Sequence, residues 1–175
     1  MSQLFWSVPL TLALIAGCAA TPRPSPYAGE QARSIKALSQ KEVADLLDGA
    51  GMGYAKAAEL NRYPGPSHAL ELSAKLELSE PQRAAIQEIL KAHKAEARKL
   101  GADVVGLERE LDDLFASGSP TPERVTAVSG RLASTVGLLR ASHLNAHIAT
   151  TRVLEPKQVE RYVEARGYGS AHRHD

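Results

Sequence analysis

The sequence is poor in cysteine, in aromatic residues and in long apolar runs. Its single cysteine, Cys18, allows no intramolecular disulfide, so the fold has to be stabilised by packing. Its single tryptophan, Trp6, lies in an apolar segment near the N-terminus, residues 4–16. That segment is shorter than the roughly 20 apolar residues that span a bilayer, which argues against a transmembrane helix and favours a secretory signal.

The chain has no excess of either positive or negative charge. The 21 basic residues nearly balance the 20 acidic residues, so the chain shows no electrostatic footprint for nucleic acid. Catalytic signatures are missing too: there is no nucleophile elbow, no phosphate loop and no dinucleotide fingerprint. Four acidic residues have the spacing of an exposed helix face: Glu108, Glu110, Asp112 and Asp113. We therefore expect neither an enzyme nor a nucleic-acid-binding protein.

The N-terminal segment ends in Leu-Ile-Ala-Gly-Cys at residues 14–18, which resembles a bacterial lipobox. In such sequences the cysteine is lipidated and becomes the mature N-terminus. The resemblance predicts a signal peptide at residues 1–17 and a lipid anchor on Cys18. Ala19 follows the cysteine in place of Asp, which by resemblance to sorted lipoproteins favours the outer membrane. We expect a periplasm-facing lipoprotein held to the membrane by a flexible, proline-rich tether at residues 18–33.

The rest of the chain shows sequence patterns typical of helices and none typical of strands. Ser39 and Glu42 form a capping box before a helical pattern, and Thr121 and Pro122 suit the start of a later helix. We predict an all-α fold for residues 34–167. It is an elongated antiparallel helical hairpin with short N-terminal helices and a C-terminal helix.

Two long apolar stripes predict the hairpin. The first has heptad spacing over nine positions: Ile86, Leu90, His93, Ala97, Leu100, Val104, Leu107, Leu111 and Leu114. The second lies on the returning helix: Val125, Val128, Leu132, Val136, Leu139, His143 and Ala146. Helices with such stripes pack lengthwise against each other.

Two similar pentads lie at the ends of this hairpin. Leu78, Ser79 and Gln82 belong to the first, Leu-Ser-Glu-Pro-Gln, and Leu154 and Gln158 belong to the second, Leu-Glu-Pro-Lys-Gln. In the first pentad the serine can cap a helix while the glutamine three residues later reaches back to it, and the proline fits the first turn. Each pentad is therefore predicted to start a helix.

The paired pentads resemble the Leu-Thr-x-x-Gln repeat of the Spy/CpxP family of periplasmic proteins. The first has Ser79 in place of Thr, and the second has Glu155 at that position. The resemblance implies an all-helical, ATP-independent envelope-stress chaperone that forms a homodimer and binds unfolded or aggregation-prone periplasmic proteins. That activity requires no cofactor. Metal-sensing relatives of the CnrX type imply an alternative, a periplasmic protein that binds or senses a heavy metal. A structural lipoprotein without a ligand is a third interpretation.

Three histidines are predicted to meet between the long helices. If the chain turns near residue 118, residues whose numbers add to about 237 lie level with each other, which places His93 beside His143 and His147. His143 and His147 are four residues apart and share one helix face. Three imidazoles suit zinc, nickel, cobalt or copper, and we name zinc or nickel first. Glu96, one turn after His93, is the candidate fourth ligand.

Other histidines are less well placed. His68 can join this layer only if the N-terminal helices fold over it. His172 and His174 lie in a tail, residues 168–175, that is predicted to be disordered. The segment from His143 to His147 lacks the Glu that zinc proteases use as general base, so a site here would bind or sense metal and would not hydrolyse. Alternatively, the histidines are ordinary seam residues.

Overall fold

The structure is a computed structural model that describes residues 23–169. Within that range the regular elements are all helical, a 3-10 turn at Glu30–Ala32 followed by six α-helices. The α-helices are α1 (Gln40–Asp48), α2 (Lys56–Glu59), α3 (Pro66–Glu71), α4 (Glu80–Ala116), α5 (Pro122–Val153) and α6 (Pro156–Ala165). This confirms the prediction of an all-α hairpin with short helices before it and one helix after it.

The chain divides into two units, Met1–Gln31 and Ala32–Asp175. In the described part of the first unit, residues 23–31, the amide of Ala28 donates to the carbonyl oxygen of Ser25 at 3.0 Å and closes a turn. The second unit holds the six α-helices.

Three sequence predictions concern residues outside the described range. The signal peptide, the lipidated Cys18 and the histidines His172 and His174 all fall there, so they stay predictions. Among residues 23–169, no helix is long and apolar enough to cross a membrane.

Side-chain caps start the helices at the residues that the sequence predicts. The Ser39 hydroxyl accepts the amide of Glu42 at 3.2 Å, and the Glu42 carboxylate accepts the amide of Ser39 at 2.8 Å. Ser79 and Gln82 repeat this box at the start of α4, with distances of 3.3 and 3.0 Å. Thr121 caps α5. A cap of this kind contributes about 1 kcal/mol to the free energy of unfolding.

Helices α4 and α5 pack antiparallel along the predicted stripes. The buried members of the two stripes are Ile86, Ala97, Val104, Leu114, Val128, Leu139, His143 and Ala146. Polar contacts between the helices confirm the predicted register: the hydroxyl of Ser142 donates to Glu96 at 2.7 Å, and Arg131 donates to Glu110 at 2.6 Å. The residue numbers add to 238 in the first pair and to 241 in the second, within about one helical turn of the predicted sum.

Helix α1 lies directly on α4. At Gly101 a Cβ atom would lie 2.0 Å from the carbonyl oxygen of Leu46, so the close approach requires glycine there. At the end of α1, Asp48 pairs with Arg98 at 2.8 Å and with Lys94 at 3.4 Å. One hydrophobic core forms around this contact: Ile35, Leu46, Ala97, Val104, Val105 and Leu139.

The two pentads meet each other. Besides capping its own helix, the Gln82 amide donates to Gln158 at 2.8 Å and to the Val153 carbonyl at 3.0 Å. Gln158 returns a hydrogen bond to Gln82 at 3.1 Å, donates to the Leu76 carbonyl at 3.2 Å, and accepts the Glu155 amide at 2.9 Å. We call this reciprocal pair the glutamine clasp. A second hydrophobic core surrounds it: Ala69, Leu76, Leu78, Ile86, Leu154 and Tyr162.

Candidate metal-binding site

A cavity of about 260 Å³ lies between the long helices and the chain that covers them. The cover consists of the loop at Gly49 and Gly51 and the start of α3. Four histidines line the cavity: His68, His93, His143 and His147. The structure thus brings the three predicted histidines to one cavity, and α3 adds His68 because it folds over that layer.

His93 is oriented by a hydrogen-bonded relay. Its Nδ1 lies 3.2 Å from the Ser142 hydroxyl, which donates its only proton to the Glu96 carboxylate. The hydroxyl must therefore accept from His93, so Nδ1 carries the proton and Nε2 keeps its lone pair. Burial lowers the pKa of His93, and the nearby Lys94 lowers it further. Glu96, predicted as a fourth ligand, is bound to Ser142 and acts on His93 from outside the cavity.

His143 lies deepest in the cavity. Its ring contacts that of His93 edge to face, with centroids 4.4 Å apart, and stacks on Tyr54 at 5.4 Å. The residue is 4% exposed, and its Nε2 has no hydrogen-bond partner in the part of the chain that the structure describes. Burial, aided by His93, His147 and Lys94, lowers the pKa of His143 to about 4, so the ring is neutral at pH 7.

His147 and His68 are held through the same ring nitrogen. His147 Nδ1 lies 2.7 Å from the Tyr63 carbonyl oxygen, and its side chain is 13% exposed. His68 Nδ1 lies 3.0 Å from the Glu71 carboxylate. Because carbonyl and carboxylate oxygens only accept, Nδ1 donates in both rings, and Nε2 is the nitrogen that could bind a metal. The ring of His147 also packs on Gly65, where a Cβ would lie 2.9 Å from Nε2.

These histidines do not form a finished ligand set. Within residues 23–169, no group of three or more His, Cys, Asp or Glu side chains is arranged to hold a metal ion. The structure brings His93 and His143 into contact, with the other two rings on the cavity wall. A third imidazole ligand would therefore require His68 or His147 to turn.

The partners that orient the histidines were not identified from the sequence. Ser142 precedes His143 in the buried stripe of α5 and could have been noticed as a polar residue facing Glu96 in the predicted register. The carbonyl of Tyr63 and the carboxylate of Glu59, which lies 3.7 Å from His147 Nδ1, come from the covering segment. Nothing in their local sequence indicates that role.

A helical hairpin of this kind, with short helices over one side, is a Spy/CpxP-like fold. Residues 6–161 match the family model described as heavy-metal resistance, and the chain belongs to that family. No curated protein and no solved structure shows a significant match to the chain. The family match supports the metal-binding alternative of the sequence analysis and gives no indication of client holding.

Proposed function

We propose that this protein binds heavy-metal cations at the bacterial envelope and that the histidine-lined cavity is the binding site. One observation carries the proposal: buried His143 has a neutral ring whose Nε2 has no partner among the described residues. A buried nitrogen left without a partner costs about 1–3 kcal/mol, and a metal ion bound there would remove that cost.

The donor arrangement around His143 fits the same function. Three neighbouring histidines each use Nδ1 to bond a fixed oxygen and keep Nε2 available: His68, His93 and His147. Metal-ligating histidines commonly donate their other ring N–H to an oxygen in this way, which fixes the tautomer and orients the ring. The first ligands are His93 and His143, and a turn of His147 or His68 can add another.

The metal is cargo in this proposal. Binding at the outer membrane, on a lipid-anchored protein facing the periplasm, would lower the free concentration of a toxic cation before it reaches the inner membrane. The binding energy alone drives capture, and the family match to heavy-metal resistance supports this role. The expectation of an unfolded-protein client gains no support from the pentads, because Ser79, Gln82 and Gln158 cap helices and join them to each other.

Calorimetry with the mature protein tests the proposal. We expect one cation per cavity, from among zinc, nickel, cobalt, copper(I) and silver(I), and a rise in melting temperature, because the ligand binds only the folded state. His93→Gln and His143→Gln should each weaken binding at least tenfold. The matched control removes His172 and His174 together and should leave binding unchanged. Loss of binding in that control alone would place the metal in the tail and contradict the proposal.

A further inference from the structure

We infer that the cavity prefers monovalent soft cations, copper(I) and silver(I), over divalent zinc and nickel. The inference rests on the proposed function, because it assigns the cargo of the same site. Three features of the cavity carry it: the charge of its donors, a lysine on its wall, and the small number of donors in contact.

The donors supply no negative charge. Within the described part of the chain, the cavity wall contains four imidazoles and one ammonium group but no carboxylate. The nearest carboxylates are held by other partners: Glu59 accepts from Tyr162 at 2.7 Å, Glu71 from His68, and Glu96 from Ser142. No donor atom on the wall therefore neutralises the charge of a bound cation directly. The cost of moving an ion from water into a protein interior rises steeply with that charge, so a divalent ion is penalised more than a monovalent one.

Lys94 adds a positive potential. It lines the cavity and donates to the Asp48 backbone oxygen at 3.1 Å, and its ammonium pairs with the Asp48 carboxylate at 3.4 Å. That carboxylate is shared with Arg98 at 2.8 Å, so two cations face one anion and the group carries a net charge of about +1. Lys94 follows His93 directly in α4 and lines the same cavity, so its positive charge acts on any cation bound there. A potential of this sign opposes a divalent ion twice as strongly as a monovalent ion at the same position.

The number of histidine ligands that lie close together also favours a monovalent ion. His93 and His143 are in ring contact, whereas no group of three donors is arranged for a metal among residues 23–169. Zinc in proteins almost always takes four ligands, and it would have to draw in both remaining histidines or water. Copper(I) and silver(I) have filled d shells and accept two nitrogen donors in a linear arrangement. Two of the four imidazoles on the wall can satisfy them once one ring turns out of the edge-to-face contact and the two Nε2 atoms face each other across the ion.

The experiment compares affinities for silver(I), which has no redox chemistry here, with affinities for zinc, in chloride-free buffer. We expect wild-type protein to bind silver(I) more tightly than zinc. Lys94→Gln should tighten both, by a factor f for silver(I) and by about f squared for zinc, because the removed potential acts in proportion to ionic charge. Lys91→Gln is the matched control: it removes an exposed charge from the same helix one turn earlier, and both affinities should stay within about twofold.

Arg98→Gln is the second variant, since it removes a charge from the same group without touching the cavity wall. Arg98→Gln should raise the affinity for silver(I) by a smaller factor than Lys94→Gln does, and the affinity for zinc by about the square of that smaller factor. Helix content measured by circular dichroism checks that each variant is folded. Tighter binding of zinc than of silver(I) by wild type, or equal factors for the two ions in Lys94→Gln, would overturn the inference and leave the proposed function standing. Absence of binding for every cation would overturn the proposed function as well.

Discussion

At the scale of single residues, His143 sets the chemistry of the cavity. A free imidazole takes up a proton near pH 6.5 and then cannot bind a metal. Burial between the long helices lowers the pKa of His143 to about 4, so its lone pair persists into mildly acidic solution. The three groups that also lower this pKa, His93, His147 and Lys94, are all on the cavity wall. Burial contributes most to keeping the ring neutral, and these three neighbours add to its effect.

The lowered pKa makes the stability of the metal-free protein depend on pH. Above about pH 6.5 neither the folded nor the unfolded state protonates His143, so the free energy of unfolding is insensitive to this residue. Below that pH the unfolded chain takes up a proton that the folded state refuses, and the free energy of unfolding should fall by up to about 1.4 kcal/mol per pH unit. Urea unfolding between about pH 6.5 and pH 4 measures how steeply the free energy of unfolding falls with pH.

His143→Gln should flatten that slope and leave only the smaller contribution of His93, whose pKa is also lowered. The carboxylates with lowered pKa, such as Glu42 and Asp48, lose their stabilising effect only below about pH 4.5, so they do not confuse the measurement. An unchanged slope in His143→Gln would show that the ring is already protonated in the folded protein.

At the scale of helices and caps, the pentads have two structural tasks. The first is local, since Ser79 and Gln82 close a capping box over three residues, and this could be predicted from the sequence. The second is the glutamine clasp, which joins residues 76 positions apart. Its formation depends on where α5 ends relative to the start of α4. Local patterns carry no information about that distance, so the clasp could not be predicted.

A double-mutant cycle tests the clasp. Gln82→Ala and Gln158→Ala each remove a cap and a cross-helix hydrogen bond, and each should lower the free energy of unfolding by about 1–3 kcal/mol. The double variant should lose less than the sum, with a coupling energy of about 1 kcal/mol. Gln87→Ala, at an exposed position on α4, should change stability by less than about 0.5 kcal/mol. Additive losses at Gln82 and Gln158 would show that the two amides act independently.

At the scale of the whole chain, the sequence predicts the hairpin of α4 and α5 but not how residues 49–71 fold over it. Heptad spacing and the position of the turn gave the register of α4 against α5, and that register brings His93 to His143. The placement of His68 and the orienting carbonyl of Tyr63 depends on how residues 49–71 fold back over the hairpin. This segment has short helices and several turns, so its path is fixed by packing against α4 and α5 and carries no periodic signal in the sequence.

The predicted lipid anchor concerns the whole chain, and one substitution tests it. Cys18→Ser should abolish lipid labelling and move the protein from the membrane fraction to the soluble periplasmic fraction, since Cys18 is the only cysteine. Fractionation after labelling with a fatty-acid analogue measures both effects. A variant that lacks label but remains in the membrane fraction would mean that another part of the chain provides the attachment.

The glutamine clasp also constrains how the hairpin can change in length during evolution. Gln82 of the clasp also bonds the Val153 carbonyl at the end of α5 and so holds the two long helices at one end. The histidine pair holds them further along, and the turn at residues 117–121 closes the other end. Residues inserted between the histidines and the turn must therefore come in matched numbers on both helices, in steps that preserve the heptad. Relatives should differ in hairpin length by paired insertions near the turn, while the spacing from pentad to histidine stays constant.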